Sequence, residues 1–300
     1  MKIIAGIVAI FSSFLLGYNS DKIENTPIYE TVYEKDGLFT INNNYDLLYL
    51  NGDKSMVVDK NVLGFECSDD YLVYSKSNNE EGYDLMALDL DKNEKETLKT
   101  IKYDSFMLYN NTLFFTENYN IKSLNLDSKH EKTIYKTSTD DIVFHDIDNN
   151  VLLISHLKGR KANLVAINIS NSKKIGETTS IGSKYKIKDE YLYGINKDNN
   201  LFRLDKEGIV DVVPGIEMVS FEICDQNIFY LDVRGKLQML ELSGSNRHIA
   251  SNILDFKIFN NIIYYTTSVD DKLYRTRFNS NDKEIVLSGI GKDLYLHVIR

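Results

Sequence analysis

The stretch SDDYLVYSKSNNEEGYDLMALDL, residues 68–90, decides the fold. It opens on Ser68-Asp69-Asp70, residue types whose side chains hydrogen-bond nearby backbone and which tolerate left-handed dihedrals, the chemistry of a tight turn. A run of strand formers, Leu72-Val73-Tyr74-Ser75, follows at once. After a polar stretch, Leu85-Met86-Ala87-Leu88-Asp89-Leu90 alternates apolar and polar residues, and period two of this kind belongs to strand rather than helix.

The run after the turn recurs along the chain: Leu38-Phe39-Thr40-Ile41, Leu113-Phe114-Phe115-Thr116, Leu152-Leu153-Ile154-Ser155, Leu192-Tyr193-Gly194-Ile195, Ile228-Phe229-Tyr230-Leu231 and Ile263-Tyr264-Tyr265-Thr266. The starts of the seven copies lie 34, 41, 39, 40, 36 and 35 residues apart. Asx-rich turns precede them at Asn110-Asn111, Asp148-Asn149-Asn150, Asp189-Glu190, Asp225-Gln226-Asn227 and Asn260-Asn261. Alternating strands follow, as in Leu164–Ile169 and Leu237–Leu242, then a fourth strand such as Thr133-Ile134-Tyr135 or Glu284–Leu287. The opening strand of the next unit comes last, as in Ser105–Leu108 and Asp255–Ile258. A period near ~40–45 residues with four strands per unit is that of propeller blades. The expectation is an all-β, seven-bladed β-propeller of four-stranded antiparallel blades over residues 29–300, with no hidden helical domain. Two segments compete to close the ring, Asp293–Ile299 and Tyr29–Tyr33.

Composition agrees with a core-forming chain. Of 300 residues, 43% are apolar and 26% charged, with 20 Tyr, 14 Phe and no Trp. The net charge of −9 argues against a binder of nucleic-acid phosphates.

Residues 1–20 read as a signal peptide or membrane anchor: Lys2 is followed by an uncharged stretch from Ile3 to Tyr18. At about 16 residues it is shorter than the ~20 of a comfortable spanning helix. Residues 21–28 form a polar linker. The expected location is extracytoplasmic, secreted or membrane-anchored at the cell surface, with the membrane reached only through this segment. Phe14-Leu15-Leu16-Gly17 resembles the lipobox of bacterial lipoproteins, but Tyr18 stands where the lipidated Cys would be, so no thioether can form. Cys67 and Cys224 fall in distant units and read as buried free thiols rather than a disulfide.

Ile262–Thr267 followed by Lys272-Leu273-Tyr274-Arg275 and Ile285-Val286-Leu287 resembles the YWTD repeats of lipoprotein-receptor propellers, and more closely bacterial extracytoplasmic propellers that share the layout. Phe114–Glu117 with Leu124–Asp127, and Phe229–Asp232, are weaker copies, and the Trp is absent throughout. The resemblance implies a rigid disc that recognises other molecules through one face, with no catalytic residue to carry over.

Local chemistry is sparse. His130, His145, His156, His248 and His297 are scattered without metal-ligand spacing, and no nucleophile elbow or phosphate loop occurs; Gly289-Ile290-Gly291 lacks the helix of a phosphate cradle. The cluster Asp140-Asp141, Asp146 and Asp148 could suggest calcium or a carboxylate pair, but it falls where other units turn; Asp270-Asp271 also reads as a turn. The repeated Tyr and Phe read as packing between blades, whereas Tyr83, Tyr103, Tyr109 and Tyr119 fall outside that register and could rim a binding face. No cofactor and no metal are expected. The functional expectation is a monomeric, envelope-associated, non-catalytic binding or scaffold module for a protein, peptide or glycan. The alternatives are a propeller glycosidase or lyase whose carboxylates converge at the central channel, and an envelope assembly factor.

Overall fold

The computed structural model of the chain describes Tyr33 and residues 37–290 and 296–298, apart from positions 53, 79–81, 103–104, 140–141, 159–160, 181, 190, 206–207, 213–214, 242–243, 260, 279 and 281. The residues read as an export signal with a lipobox-like end and as a linker, together with Tyr103 and Asp140-Asp141, lie outside the described residues.

Seven sheets of four antiparallel strands make a β-propeller, and no helix occurs among the described residues. The innermost strands touch one another in sequence around the channel: Val62–Cys67, Phe106–Tyr109, Ile142–Asp148, Gly182–Lys188, Met218–Cys224 and Ile253–Phe259 open the second to seventh blades. The recurrent run is the second strand of every blade. The turns before it adopt the expected left-handed backbone at Asn110, Asn149, Asn150, Asp189, Asp225 and Asn261, with φ between 46° and 65°.

The second strand is apolar on both sides because both of its sides are covered. Val73 packs toward the third blade with Phe115 and Leu124, while Leu72 and Tyr74 pack toward the first blade with Phe39 and Tyr49. The same division repeats at each seam, so the core comprises seven clusters, one between each pair of adjacent blades. Phe39, Tyr74, Phe114, Phe115, Phe229 and Tyr230 have at most 1% of their surface exposed, which places the aromatic excess in the inter-blade layer.

Ring closure comes from the C-terminal side. Leu296–Val298 supplies the innermost strand of the first blade, pairing antiparallel with Leu38–Ile41. A bridge from Asn42 to Ile290 and the Asn43 N–H donated to the Gly289 carbonyl (3.1 Å) tie the same seam. Tyr33, the one described residue of the competing segment, is buried against Phe39 and Tyr49 instead of joining the sheet.

Truncation after Ile290 removes that strand and leaves both an open sheet edge and a broken seam. Thermal unfolding should fall by about 10 °C or more, with a less cooperative transition. An unchanged transition would contradict closure by this strand.

Candidate functional site

Pairing with the second strands identifies one equivalent position on each innermost strand. Glu66 pairs with Val73, Met107 with Phe114, Asp146 with Leu153, Lys186 with Tyr193, Glu222 with Phe229, Lys257 with Tyr264 and, by backbone register, His297 with Phe39. A ring of seven positions results, and five carry formal charges of alternating type around half of it: Asp146, Lys186, Glu222 and Lys257 in consecutive blades, with Glu66 across the channel.

The charges are coupled. Lys186 Nζ donates to Glu222 Oε2 at 2.7 Å, and Lys257 Nζ stands 3.6 Å from Glu222 Oε1. Burial alone would raise the Glu222 carboxyl, but the two ammonium groups outweigh it and hold it below the ordinary range. Lys186 is likewise pulled down by burial and lifted more by Glu222, Asp146 and Glu66, so its net shift is upward. Asp146 uses both oxygens on backbone, accepting from Ile147 N (3.0 Å) in its own blade and Ile187 N (2.7 Å) in the next. Burial keeps its carboxyl raised against the pull of Lys186. Glu66 makes no contact ion pair among the described residues; burial pushes it up to about 7 while Lys257 and Lys186 draw it back from across the channel.

A half-open cavity of about 240 Å³ lies at one mouth of the channel, lined from the innermost strands of the fourth to seventh blades. Its walls include Phe144, Lys184, Lys186, Ser220, Asp255 and Lys257. Phe144, Lys184, Ser220 and Asp255 each precede the ring position by two residues, so the cavity opens on the face where the innermost strands begin, here termed the upper face.

The fifth blade brings two lysines to this mouth through an unusual local construction. Its second strand has Gly194 where Tyr74, Phe115, Ile154, Tyr230 and Tyr265 stand in five other blades and Thr40 in the first. The Tyr185 ring fills that space: a Cβ added at Gly194 would come within 2.7 Å of Phe202 and 2.8 Å of Tyr185. The Tyr185 hydroxyl accepts from Gly182 N (2.7 Å) and bonds Ser180 Oγ (2.8 Å). Between these anchors the register shifts from Ser183 to Lys186, and Lys184 takes a left-handed φ of 51°, the one such residue inside a described strand.

The sequence-derived candidates separate. The turn reading of the acidic cluster holds for Asn149-Asn150, with Asp148 the last strand residue before them, but not for Asp146: a shifted register at His145 leaves Asp146 within the strand and in the channel ring. Asp270 and Asp271 do lie in a turn, where Asp270 accepts from Tyr274 OH (2.6 Å) and Thr267 Oγ1 (2.8 Å). Among the tyrosines outside the register, Tyr83 and Tyr109 pack against seams and Tyr119 is exposed in a turn. His145 lines the cavity wall, but burial pushes it down to about 4 and Nε2 is engaged by Ser155 Oγ at 2.9 Å. His130 and His248 are exposed, and His156 is buried in a strand. Both cysteines are free thiols; Cys67 is buried and Cys224 only half-buried. Among the described residues, no cluster of three or more His, Cys, Asp and Glu is grouped to hold a metal.

No protein-family model matches the chain, and no curated protein matches it in sequence. Solved structures share the fold at low identity. A prolyl endopeptidase superposes with a TM-score of 0.63 at 13% identity over 90% of this chain and 50% of its own, so the chain spans half the length of that enzyme. The β-propeller domain of the Trilobed protease from Pyrococcus furiosus, described as having an open velcro topology, gives 0.60 at 13% identity over 84% of this chain and 93% of its own. PorZ, a surface component of the type-IX secretion system of Porphyromonas gingivalis, gives 0.59 at 10% identity, covering 87% of this chain and 38% of its own.

Two substitutions test this geometry. Gly194→Ala forces Tyr185 and Phe202 apart and should destabilise by about 1–3 kcal/mol in chemical denaturation, whereas a neutral effect would contradict the packing. Glu66 holds its proton to a higher pH when folded, so between its ordinary 4.5 and about 7 the folded state binds more protons and stability falls as pH rises. Glu66→Gln should therefore match the parent near pH 4.5 and exceed it in melting temperature above pH 7. A constant offset at all pH values would contradict the raised carboxyl.

Proposed function

We propose that the chain is an exported, envelope-associated propeller that binds a protein partner through its upper face without catalysing a reaction. The observation that carries this reading is the distribution of exposed apolar side chains. Tyr45, Tyr119, Val233 and Val269 stand on hairpins between second and third strands, and Val143 and Val219 at the beginnings of innermost strands. Antiparallel pairing puts both locations on the upper face, which thus holds six of the nine large exposed hydrophobics among the described residues. Apolar groups gathered on one face around a polar centre mark an interaction surface.

The channel carboxylates favour binding over catalysis. A glycosidase-type pair needs one carboxyl free to donate a proton and a second free to attack or to activate water. Glu66 holds its proton, but the second carboxyl is not free: Glu222 is held between two lysines, and Asp146 accepts two backbone N–H groups. Export is supported by the uncharged stretch from Ile3 to Tyr18, and a surface location by the likeness in fold to PorZ.

Photo-crosslinkers placed at Tyr119 and Val269 in expressing cells should yield discrete protein adducts at the cell envelope. The same groups at Ile175 and Ile285, exposed on outer strands, should not. Adducts from the outer strands alone would contradict the upper face as the docking surface.

A further inference from the structure

We propose that the channel ring is a proton-controlled switch in which Lys257 changes partner, resting on Glu222 while Glu66 is protonated and turning across the channel to Glu66 once that carboxyl has lost its proton. This goes beyond protein docking and does not rest on it, because the groups that move belong to the ring itself.

The ring divides its charges unevenly. Glu222 serves two ammonium groups, Lys186 at 2.7 Å and Lys257 at 3.6 Å, whereas Glu66 makes no ion pair among the described residues. In ring order Lys186 stands between two acids, Asp146 and Glu222, and is held from both sides. Lys257 has an acid on one side only; on its other side come the position of His297 and then Glu66. Its side chain also keeps more surface accessible than that of Lys186, 40% against 34%, on a flexible four-carbon stem. Lys257 is thus the looser of the two cations and the one next in line to Glu66.

Whether it turns depends on Glu66. As a neutral acid, Glu66 offers no charge to draw an ammonium group away from Glu222. Burial pushes its carboxyl up to about 7, so that form persists through mildly acid conditions. At higher pH the resting arrangement would leave one carboxylate with two mutually repelling ammonium groups and a second carboxylate with none. Giving each one lysine lowers the Coulomb energy on both counts. The neighbouring groups do not supply the trigger. Asp146 accepts from Ile147 N and Ile187 N, and Asp255, two residues before Lys257, accepts from Phe256 N. Burial pushes His145 down to about 4, Met107 is uncharged, and Asp69 lies in the exposed turn beyond the Glu66 strand. Lys257 also lines the cavity at the upper mouth, so its turning changes the shape and charge of that wall.

The test uses double-substitution cycles on the full chain, read by chemical denaturation at about pH 5.5 and about pH 8.5. The coupling between Glu222 and Lys257, from Glu222→Gln and Lys257→Met, should fall at least about twofold from the acid to the alkaline condition. The coupling between Glu66 and Lys257 should be absent in acid and appear in alkali, while that between Glu222 and Lys186 stays constant. Glu66→Gln should abolish the change at Glu222, which separates it from titration at His297 or Asp146. Should a variant fail to fold, the selectively labelled parent chain gives the same reading by NMR: Lys257 ε-protons in contact with Glu222 in acid and with Glu66 in alkali. A Glu222–Lys257 coupling that does not change with pH, a change that survives Glu66→Gln, or a Lys257 that keeps one partner in both conditions would overturn the proposal.

Discussion

Every blade depends on its neighbours because its second strand is apolar on both sides. A single four-stranded sheet could hide one face of Val73 and Tyr74, not both. Burial of the other face requires the next blade, and the requirement passes around the circle until the last seam meets the first. Leu38, Leu48 and Leu50 packing against Tyr264 and Leu273 is that final seam, and the pairing of Leu296–Val298 with Leu38–Ile41 locks it. Closure therefore follows from hydrophobic burial, and the channel with its charged ring follows from closure.

The channel in turn receives charge that local sequence cannot explain. Lys186, Glu222 and Lys257 belong to three successive blades, yet one carboxylate serves two ammonium groups. Such an arrangement costs desolvation, which the side chains moderate by keeping between 20% and 40% of their surface accessible within the channel. Glu66, without an ion-pair partner among the described residues, bears the cost as a raised carboxyl. The same enclosure that perturbs these groups shapes the cavity above them.

The fold was legible because its signals are local. The run from Leu72 to Ser75 and the Asx turn before it each lie within a few residues, and the copies announce the number of blades. The ring was not legible in that way, because its members are contributed by strands scattered over the chain. One signal was present: an aromatic residue, a charged residue and then an aliphatic one or Cys, in Phe65-Glu66-Cys67, Tyr185-Lys186-Ile187, Phe221-Glu222-Ile223 and Phe256-Lys257-Ile258. His145-Asp146-Ile147 follows the same form, and reading it as part of a turn concealed Asp146. The competing ends of the ring were likewise undecided by pattern, since Tyr29–Tyr33 and Asp293–Ile299 both look like strands; only pairing distinguishes them.

Glu66 and Lys257 lie 191 residues apart in sequence and influence each other only if the ring closes around a common channel. The most direct measurement is the Glu66 side-chain titration, followed by carboxyl-carbon NMR in the parent chain and in Lys257→Met. A pKa near 7 that rises further when the ammonium group is removed is the predicted result. An ordinary carboxylate value, unmoved by the substitution, would contradict a closed ring with these charges facing one another.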